Sequence, residues 1–365
     1  MTHPYQSLAA DKFWRTGVAE LDALDIKGLW KPKLRICPGT PIVTAGSCFA
    51  QHFARALTAR GYAWTDHEPG PPSLTAPQKH DYHYGTFSFR TGNIYTPRML
   101  LQWLRWALAA EPPPTEVWEQ DGRFFDPIRP AIEPGGFVSV EELHASRAVT
   151  LEAIRKAVTS ARVFVFTLGL TEAWQNRQTG VEYAVCPGTL AGHFNPAAHV
   201  FVNHRFSDLL EDMTEALRLL TAANPALSLL LTVSPVPLTA TASNQHVLTA
   251  TSHSKSLLRA VASELCEGRG HVDYFPSYEI ITHPAYRGRF FAPNLRSVLP
   301  EGVDHVMTSF FQDQATTFGN TPNLPPPPVP PLEQVSPEPA MSEAADLRCE
   351  EEILAAFAPQ VAGRT

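Results

Sequence analysis

The sequence lacks the features that mark several large classes of protein. Its five cysteines are scattered and form no C-x-x-C pair, which argues against a zinc site or a disulfide framework and favours reduced thiols. No apolar run reaches the length of about 18 residues that a membrane helix needs, so we expect no membrane partner. The formal net charge is −7 and Lys and Arg form no cluster, which argues against nucleic-acid binding.

Short motifs for cofactors are missing as well. There is no H-E-x-x-H, no G-x-x-x-x-G-K-[ST] and no G-x-G-x-x-G at the start of the first predicted helix. We therefore predict that the protein uses no metal and no other cofactor. The first residues show no basic start followed by an apolar run, so we expect no signal peptide and a cytoplasmic location. The sequence gives no indication of oligomeric state.

The chain does contain a repeated alternation of apolar runs and helical patterns. Four short runs rich in Val, Leu and Phe are continuous rather than alternating, which is typical of parallel strands covered on both faces. These runs are residues 41–46, 162–168, 227–233 and 271–275. Amphipathic patterns predict helices at residues 48–61, 139–161, 206–225 and 246–268. The prediction is an α/β fold with a central parallel sheet.

Two regions interrupt the alternation. Residues 62–137 are rich in Pro, Gly and aromatic residues, which predicts a loop-rich insertion over a site rather than part of the core. Residues 314–340 hold too much proline to pack and predict an extended linker, followed by a tail at 341–365 with a short helix. The main domain is then residues 41–313, after an N-terminal extension at 1–40.

Polar residues follow each predicted strand, where parallel sheets bind their ligands. They are Gly46, Ser47 and Cys48, then Gly169, Thr171 and Glu172, then Ser234 and Pro235, then Ser277, Tyr278 and Glu279. Ser47 enters a helix whose first amides can stabilise an oxyanion, so it has the position of a nucleophile. A serine at this position also commonly caps the helix, and the sequence leaves both roles open.

The stretch AGSCFAQHFARAL around Ser47 resembles the signature of the GSCFA family. The resemblance extends over about residues 10–312 through the stretches RTGNIYTPRMLLQWL, VFVFTLGLTEAW, CPGTLAGHFNP, LTVSPVPLTAT, SHSKSLLRAV and YFPSYEI. The family is similar to SGNH hydrolases. This likeness implies a three-layer α/β/α sandwich and ester hydrolysis or acyl transfer by a serine nucleophile.

The resemblance also implies roles for single residues. Ser47 matches the nucleophile, and Gly92 with Asn93 matches the second block, which helps to form the oxyanion hole. Gly169 matches the third block. An SGNH enzyme has asparagine two residues later, where this chain has Thr171, so Thr171 or Asn93 would have to replace that donor.

The Asp-x-x-His block of SGNH enzymes is absent, because Asn294 and Ser297 stand at its two positions. A serine of ordinary acidity needs a neighbouring base to react near neutral pH. His305, next to Asp304, is the first candidate for this base and His283 is the second. A helical packing role or a surface position remains open for His305.

Four further side chains are candidates for contacts with substrate. Glu172 could bind a sugar together with Trp174, and Arg289 could hold an acyl or anionic group. Asn203 and Ser234 are candidates by their positions next to predicted strands and helices. Capping, core packing and solvated loops are the structural alternatives for these residues.

Three functions fit these observations. The first is an SGNH-like serine esterase or acyltransferase that acts on a small-molecule or carbohydrate acyl ester. The second is a catalytically silent glycan-binding or interaction protein that kept the fold without the Asp-x-x-His block. The third is thiol chemistry at Cys48, which has no resolving cysteine close in sequence.

Overall fold

The computed structural model describes residues 3–319 and 350–359 and contains a four-stranded parallel sheet at its centre. A second sheet has three strands, and a two-stranded hairpin stands apart from both. In chain order, the strands are β1 Ile42–Gly46, β2 Trp118–Gln120, β3 Arg123–Phe125, β4 Val163–Leu168, β5 Glu172–Asn176, β6 Glu182–Tyr183, β7 His199–Asn203, β8 Ser228–Val233 and β9 Val272–Tyr274.

The central sheet has the strand order β1-β4-β8-β9, and every neighbouring pair is parallel. The register places Ile42 opposite Val163 and Leu229 opposite Val272. The prediction of four adjacent parallel strands is confirmed. Their carboxyl ends therefore lie at one edge of the sheet, where residues that follow the strands can meet.

Helices connect and cover the strands. In chain order, the α-helices are α1 Ala50–Ala59, α2 Ala76–Asp81, α3 Pro97–Leu108, α4 Val140–Ser160, α5 Phe206–Ala223, α6 Val247–Cys266, α7 Ser277–Thr282 and α8 Pro300–Phe318. The four helices expected from periodicity correspond to α1, α4, α5 and α6. None of the helices at 3–319 and 350–359 is long and apolar enough to cross a membrane.

Side chains alternate between the two faces of the central sheet and feed two hydrophobic clusters. Phe164 and Phe166 of β4 join the first cluster with residues of α3, α4, α5 and α6. Val163 and Val165 of the same strand join the second cluster with residues of α1, α7 and α8. Because each strand buries both faces, its sequence is continuously apolar. The arrangement is consistent with a three-layer α/β/α sandwich.

The region 62–137 differs from the prediction of a loop-rich insertion outside the core. It contains α3, in which nine of twelve residues are buried, and this helix packs against α5. Thr96 caps α3 by accepting a hydrogen bond from Met99 N, and Pro97 occupies its first turn. This helix was not predicted, because the Pro and Gly residues around it indicate loops. The rest of the region consists of loops, the short helix α2 and the β2–β3 hairpin.

The chain ends of the main domain also differ from the predicted boundaries. α8 continues to Phe318, and the buried Gln314 side chain donates to Leu34 O at 2.9 Å and accepts from Ile36 N at 3.1 Å. Residues 314–318 are thus helical, and the extension before β1 packs on them. The remainder of the predicted linker, 320–340, lies outside the described residues. In the tail, residues Glu350–Phe357 form a 3₁₀ helix.

Candidate functional site

Ser47 lies at the carboxyl edge of the central sheet, directly after β1. The preceding Gly46 has φ +132°, and a Cβ on it would lie 2.5 Å from Thr167 O. Only glycine fits this conformation and this close approach. Ser47 N donates to the same Thr167 oxygen at 3.1 Å, and only 2% of the residue is exposed. The neighbouring strand therefore fixes where the serine leaves the sheet.

The Ser47 side chain does not cap α1. The helix begins at Ala50, its N-cap residue is Phe49, and no side chain caps it. Ser47 contributes its carbonyl, which accepts from Ala50 N at 2.8 Å. Its Oγ is buried and has no hydrogen-bond partner among the described residues. The hydroxyl is therefore not committed to the local structure of the turn.

Gly169, which follows β4, lies directly against Ser47. A Cβ on Gly169 would come within 3.0 Å of Ser47 Cβ and 2.9 Å of Tyr95 O. Tyr95 O accepts from Gly169 N at 2.9 Å, and Ile94 N donates to Gly46 O at 2.8 Å. The structure thus places Gly169 and the segment 94–95 directly beside the turn of Ser47.

Asn93 and Tyr95 present hydrogen-bond donors in this crevice, and they bind a carboxylate of the same chain. Asn93 Nδ2 and Tyr95 Oη both donate to Glu350 Oε2, the latter at 3.0 Å. Asn93 N lies 3.5 Å from Glu350 Oε1. Gly92 has φ +69°, and a Cβ there would lie 3.0 Å from the same Oε1. The predicted oxyanion segment 92–93 therefore faces a negatively charged group.

The other two predicted oxyanion donors are engaged within the fold. Gly169 N donates to Tyr95 O, and Thr171 N donates to Ser254 Oγ at 3.0 Å. The Thr171 hydroxyl donates to Asn203 Oδ1 at 2.8 Å. These donors of Gly169 and Thr171 point at protein acceptors, so both residues help to build the crevice, and Asn203 supplies the acceptor for the Thr171 hydroxyl.

The loop at the missing Asp-x-x-His block forms a closed turn. Asn294 Nδ2 donates to Ser297 Oγ, and Ser297 N donates to Asn294 Oδ1, both at 2.9 Å. Arg296 extends from this turn to Glu352 Oε1 at 3.0 Å and to Glu351 Oε2 at 3.8 Å. In place of an imidazole, this loop therefore directs a guanidinium toward the tail.

Neither histidine proposed as the base is bonded to Ser47. His305 stacks on Phe290 with ring centroids 5.2 Å apart, and burial lowers its pKa, with a further lowering from Arg289. Its Nε2 has no hydrogen-bond partner in the described part of the chain. His283 accepts from Ala285 N through Nδ1 at 3.2 Å, which caps the short helix after α7. Both rings are held by local packing and capping.

Glu172 lines a cavity of about 540 Å³ next to this crevice. Burial raises the pKa of Glu172, while the Thr241 hydroxyl, which donates to it at 2.7 Å, opposes the rise. Trp174 is half-buried: it lines the cavity and also packs against a small buried cluster that contains Trp118 and Tyr183. The cavity wall is otherwise mainly apolar: Met99, Leu170, Phe201 and Leu238 belong to it.

Two other predicted substrate contacts have structural partners instead. Ser234 is buried, and its Oγ accepts from Val236 N at 3.3 Å, which holds the turn after β8. Arg289 forms an exposed ion pair with Glu301 at 2.7 Å. Neither residue lines the cavity. The hydrogen bond in the turn explains the serine after β8, and the surface ion pair explains the arginine at position 289.

Lys255 was not among the site residues predicted from the sequence. This lysine on α6 is 1% exposed, and its Nζ donates to Gly169 O at 2.7 Å, which places the amino group beside the residue that packs on Ser47. A signal was present: Lys255 falls on the buried stripe of α6 with Leu258 and Ala262. A lysine on the apolar face of a helix is rare unless it has a partner.

Comparisons with known proteins agree with the motifs around this crevice. A sequence profile of the GSCFA family matches residues 41–310, which is more than half of the 365 residues. The match covers all four strands of the central sheet and the residues that surround Ser47. Searches among curated proteins and solved structures found no match. The chain belongs to the GSCFA family.

Proposed function

We propose that this protein is an SGNH-like serine esterase or acyltransferase that acts on acyl esters. The observation that carries the proposal is the Ser47 hydroxyl, which is buried at the carboxyl end of β1 and does not serve as a helix cap. Next to it lie Gly169 and a segment whose donors bind a carboxylate. The parallel sheet between two helical layers supports the likeness to SGNH hydrolases.

In the proposed reaction, Ser47 Oγ attacks the ester carbonyl carbon and gives its proton to a base. The carbonyl oxygen becomes an oxyanion, which the donors of Asn93 stabilise. When the carbonyl re-forms, the alcohol leaves with the proton held by the base, and the acyl group remains on Ser47. Water then releases the acid, or a second alcohol accepts the acyl group.

In this proposal Lys255 is the base and acts as the neutral amine, because an ammonium group has no lone pair that could accept the proton. Its Nζ lies 2.7 Å from Gly169 O, and Gly169 packs on Ser47, whereas His305 and His283 are engaged elsewhere. Serine–lysine pairs are an established variant of the serine–histidine arrangement. A lysine in this role replaces the imidazole that the loop at 294–297 lacks.

The cavity beside the crevice suits the acyl part of the substrate. Its volume of about 540 Å³ falls within the range of roughly 300–1,000 Å³ that small-molecule sites occupy. Met99, Leu170 and Phe201 offer apolar contacts, and Trp174 offers an aromatic face. An acyl chain fits these contacts, and the face of a sugar ring fits Trp174 with Glu172 beside it.

Fluorophosphonate labelling followed by identification of the modified peptide tests this proposal. We expect the label on Ser47 and none in Ser47→Ala. Ser277→Ala is the matched control, because Ser277 is equally buried and also follows a strand of the central sheet. A label on another residue would refute Ser47 as the nucleophile.

Two variants separate a base from a structural lysine at position 255. Lys255→Met should lower ester turnover by about 10² or more, since it removes the proton acceptor. Lys255→Arg keeps a hydrogen-bond donor for Gly169 O, but the guanidinium stays protonated and cannot accept a proton, so we expect the same loss. Full activity of Lys255→Arg would assign Lys255 a positioning role only.

The alternative is a binding protein without catalysis, and the closed turn of Asn294 and Ser297 favours it, because this loop carries no base. In that case acylated glycans would bind with measurable affinity, while no acyl ester from a broad panel would be cleaved. Wild-type protein and Ser47→Ala would then behave alike in both assays.

A further inference from the structure

The tail enters the crevice with a buried carboxylate. Glu350 is 7% exposed, and its oxygens accept from Asn93 Nδ2 and Tyr95 Oη. Both Asn93 and Tyr95 come from the segment beside Ser47, more than 250 positions earlier in the chain. A buried carboxylate is stable only where donors satisfy it, so this pocket is built to hold a negative charge.

The next two residues of the tail are held by other parts of the chain. Glu351 Oε1 accepts from Thr239 N at 2.9 Å, and Glu352 Oε1 accepts from Arg296 Nη1 at 3.0 Å. Arg296 belongs to the turn that replaces the Asp-x-x-His block. The tail therefore bridges the oxyanion segment and the loop where an SGNH enzyme holds its base.

The apolar residues of the tail close the neighbouring cavity. Leu354 and Phe357 form part of its wall, together with Trp174 and Leu238. The 3₁₀ helix Glu350–Phe357 thus places its acidic end at the donors and its apolar side over the space proposed for the acyl group. An ester substrate would need both the donors of Asn93 and Tyr95 and the apolar space of the cavity.

We propose that the tail segment 350–359 is a cis-acting ligand of the active site and that it excludes substrate while Glu350 occupies the Asn93 and Tyr95 donors. This inference rests on the function proposed above, of which it describes the regulation. A carboxylate in this position imitates the oxyanion in charge and in its hydrogen bonds. The same donors cannot serve both groups at once, so the tail must leave before an ester can react.

Glu350 does not act as the base for Ser47 in this arrangement. Both oxygens of its carboxylate already face the donors of Asn93 and Tyr95, so we assign it the role of a ligand of these donors. The two roles predict opposite results: removing an inhibitor raises the reaction rate, whereas removing a base abolishes it.

Substitutions in the full chain test the inference. We expect Glu350→Ala to raise the rate of fluorophosphonate labelling at Ser47 by about tenfold or more, because it removes charge-assisted hydrogen bonds. Leu354→Asp, which places a charge against the apolar cavity wall, should have the same direction of effect. Glu211→Ala is the matched control, since Glu211 is an exposed glutamate of α5 that does not line the cavity, and we expect it to leave the labelling rate unchanged. Slower labelling of Glu350→Ala would overturn the proposal.

A binding measurement separates this inference from the proposed function. A fluorescent peptide EEEILAAFAP, the sequence of 350–359, should bind the full-length double variant Glu350→Ala/Leu354→Asp, as measured by anisotropy. The peptide with glutamine at its first position should bind about tenfold more weakly. Peptide binding without any Ser47 labelling would keep the tail interaction and refute the esterase. Labelling with no peptide binding, and with no change in Glu350→Ala, would refute the tail inference alone.

Discussion

Gly169 and Ser47 are packed so closely that a single methyl group does not fit between them: a Cβ on Gly169 would lie 3.0 Å from Ser47 Cβ and 2.9 Å from Tyr95 O. Neither neighbour can move easily, because Ser47 Cβ is attached to the turn after β1 and Tyr95 O is a backbone atom. We expect Gly169→Ala to destabilise the protein by about 1–3 kcal/mol. It should also lower Ser47 labelling by about tenfold or more, since the nucleophile is displaced.

The control for this change is Gly39→Ala, because Gly39 is exposed and no atom lies within 4 Å of an added Cβ. Chemical denaturation and labelling rates, measured for both variants, give the comparison. Wild-type labelling in Gly169→Ala would show that the crevice tolerates a shift of Ser47, against the geometry proposed for catalysis.

We propose two roles for Asn93, as an oxyanion donor and as an anchor for Glu350. The two roles compete in the wild-type chain, because the same donors serve both. The Glu350→Ala background removes the second role. There we expect Asn93→Ala to lower kcat/KM for an activated ester by about 10², with little change in the melting temperature. Unchanged turnover with a lower melting temperature would make Asn93 a structural residue.

His305 should be dispensable for the reaction. Its ring stacks on Phe290 and meets Tyr286 at 5.8 Å, within the second hydrophobic cluster. We expect His305→Ala to cost about 0.5–1.5 kcal/mol of stability through the lost ring contacts. The labelling rate of Ser47, measured below the melting transition, should stay within about twofold of wild type. A loss as large as that of Lys255→Met would restore His305 as the base.

His52 makes the stability of the fold depend on pH. Burial, with a smaller contribution from Arg55, lowers the pKa of His52 to about 4, and its Nε2 is buried without a hydrogen-bond partner at positions 3–319 or 350–359. The pKa of the unfolded chain is near 6.5, so between these values the unfolded state binds more protons. The stability contribution is complete above pH 6.5 and decreases as the pH falls toward 4.

Urea unfolding at pH 7 and pH 5 checks this prediction. Wild type should lose about 1–2 kcal/mol more than His52→Met over this interval, because methionine carries no proton to gain. His253→Met, at an exposed position of α6, is the reference for a histidine replacement. Equal losses in wild type and His52→Met would contradict the assignment.

Local sequence was sufficient for the sheet and most of its helices. Continuous apolar runs predicted β1, β4, β8 and β9, since strands buried on both faces cannot alternate. α4 begins after Ser139, whose side chain accepts from Glu142 N. A serine followed three residues later by glutamate predicts such a helix start from the sequence. The position of Ser47 after β1 followed from the same pattern. α3 was missed, because its apolar periodicity lies among prolines and glycines that indicate loops.

The contents of the crevice were decided by tertiary structure alone. Nothing local to His305 distinguishes a base from a ring stacked on Phe290, and nothing local to Lys255 shows that its Nζ reaches Gly169 O. The contact of Glu350 with Asn93 spans 257 positions, and no periodicity carries information over that distance. Short-range pattern determined which residues form strands and helices, whereas packing of distant segments determined which donors remain open and which group fills them.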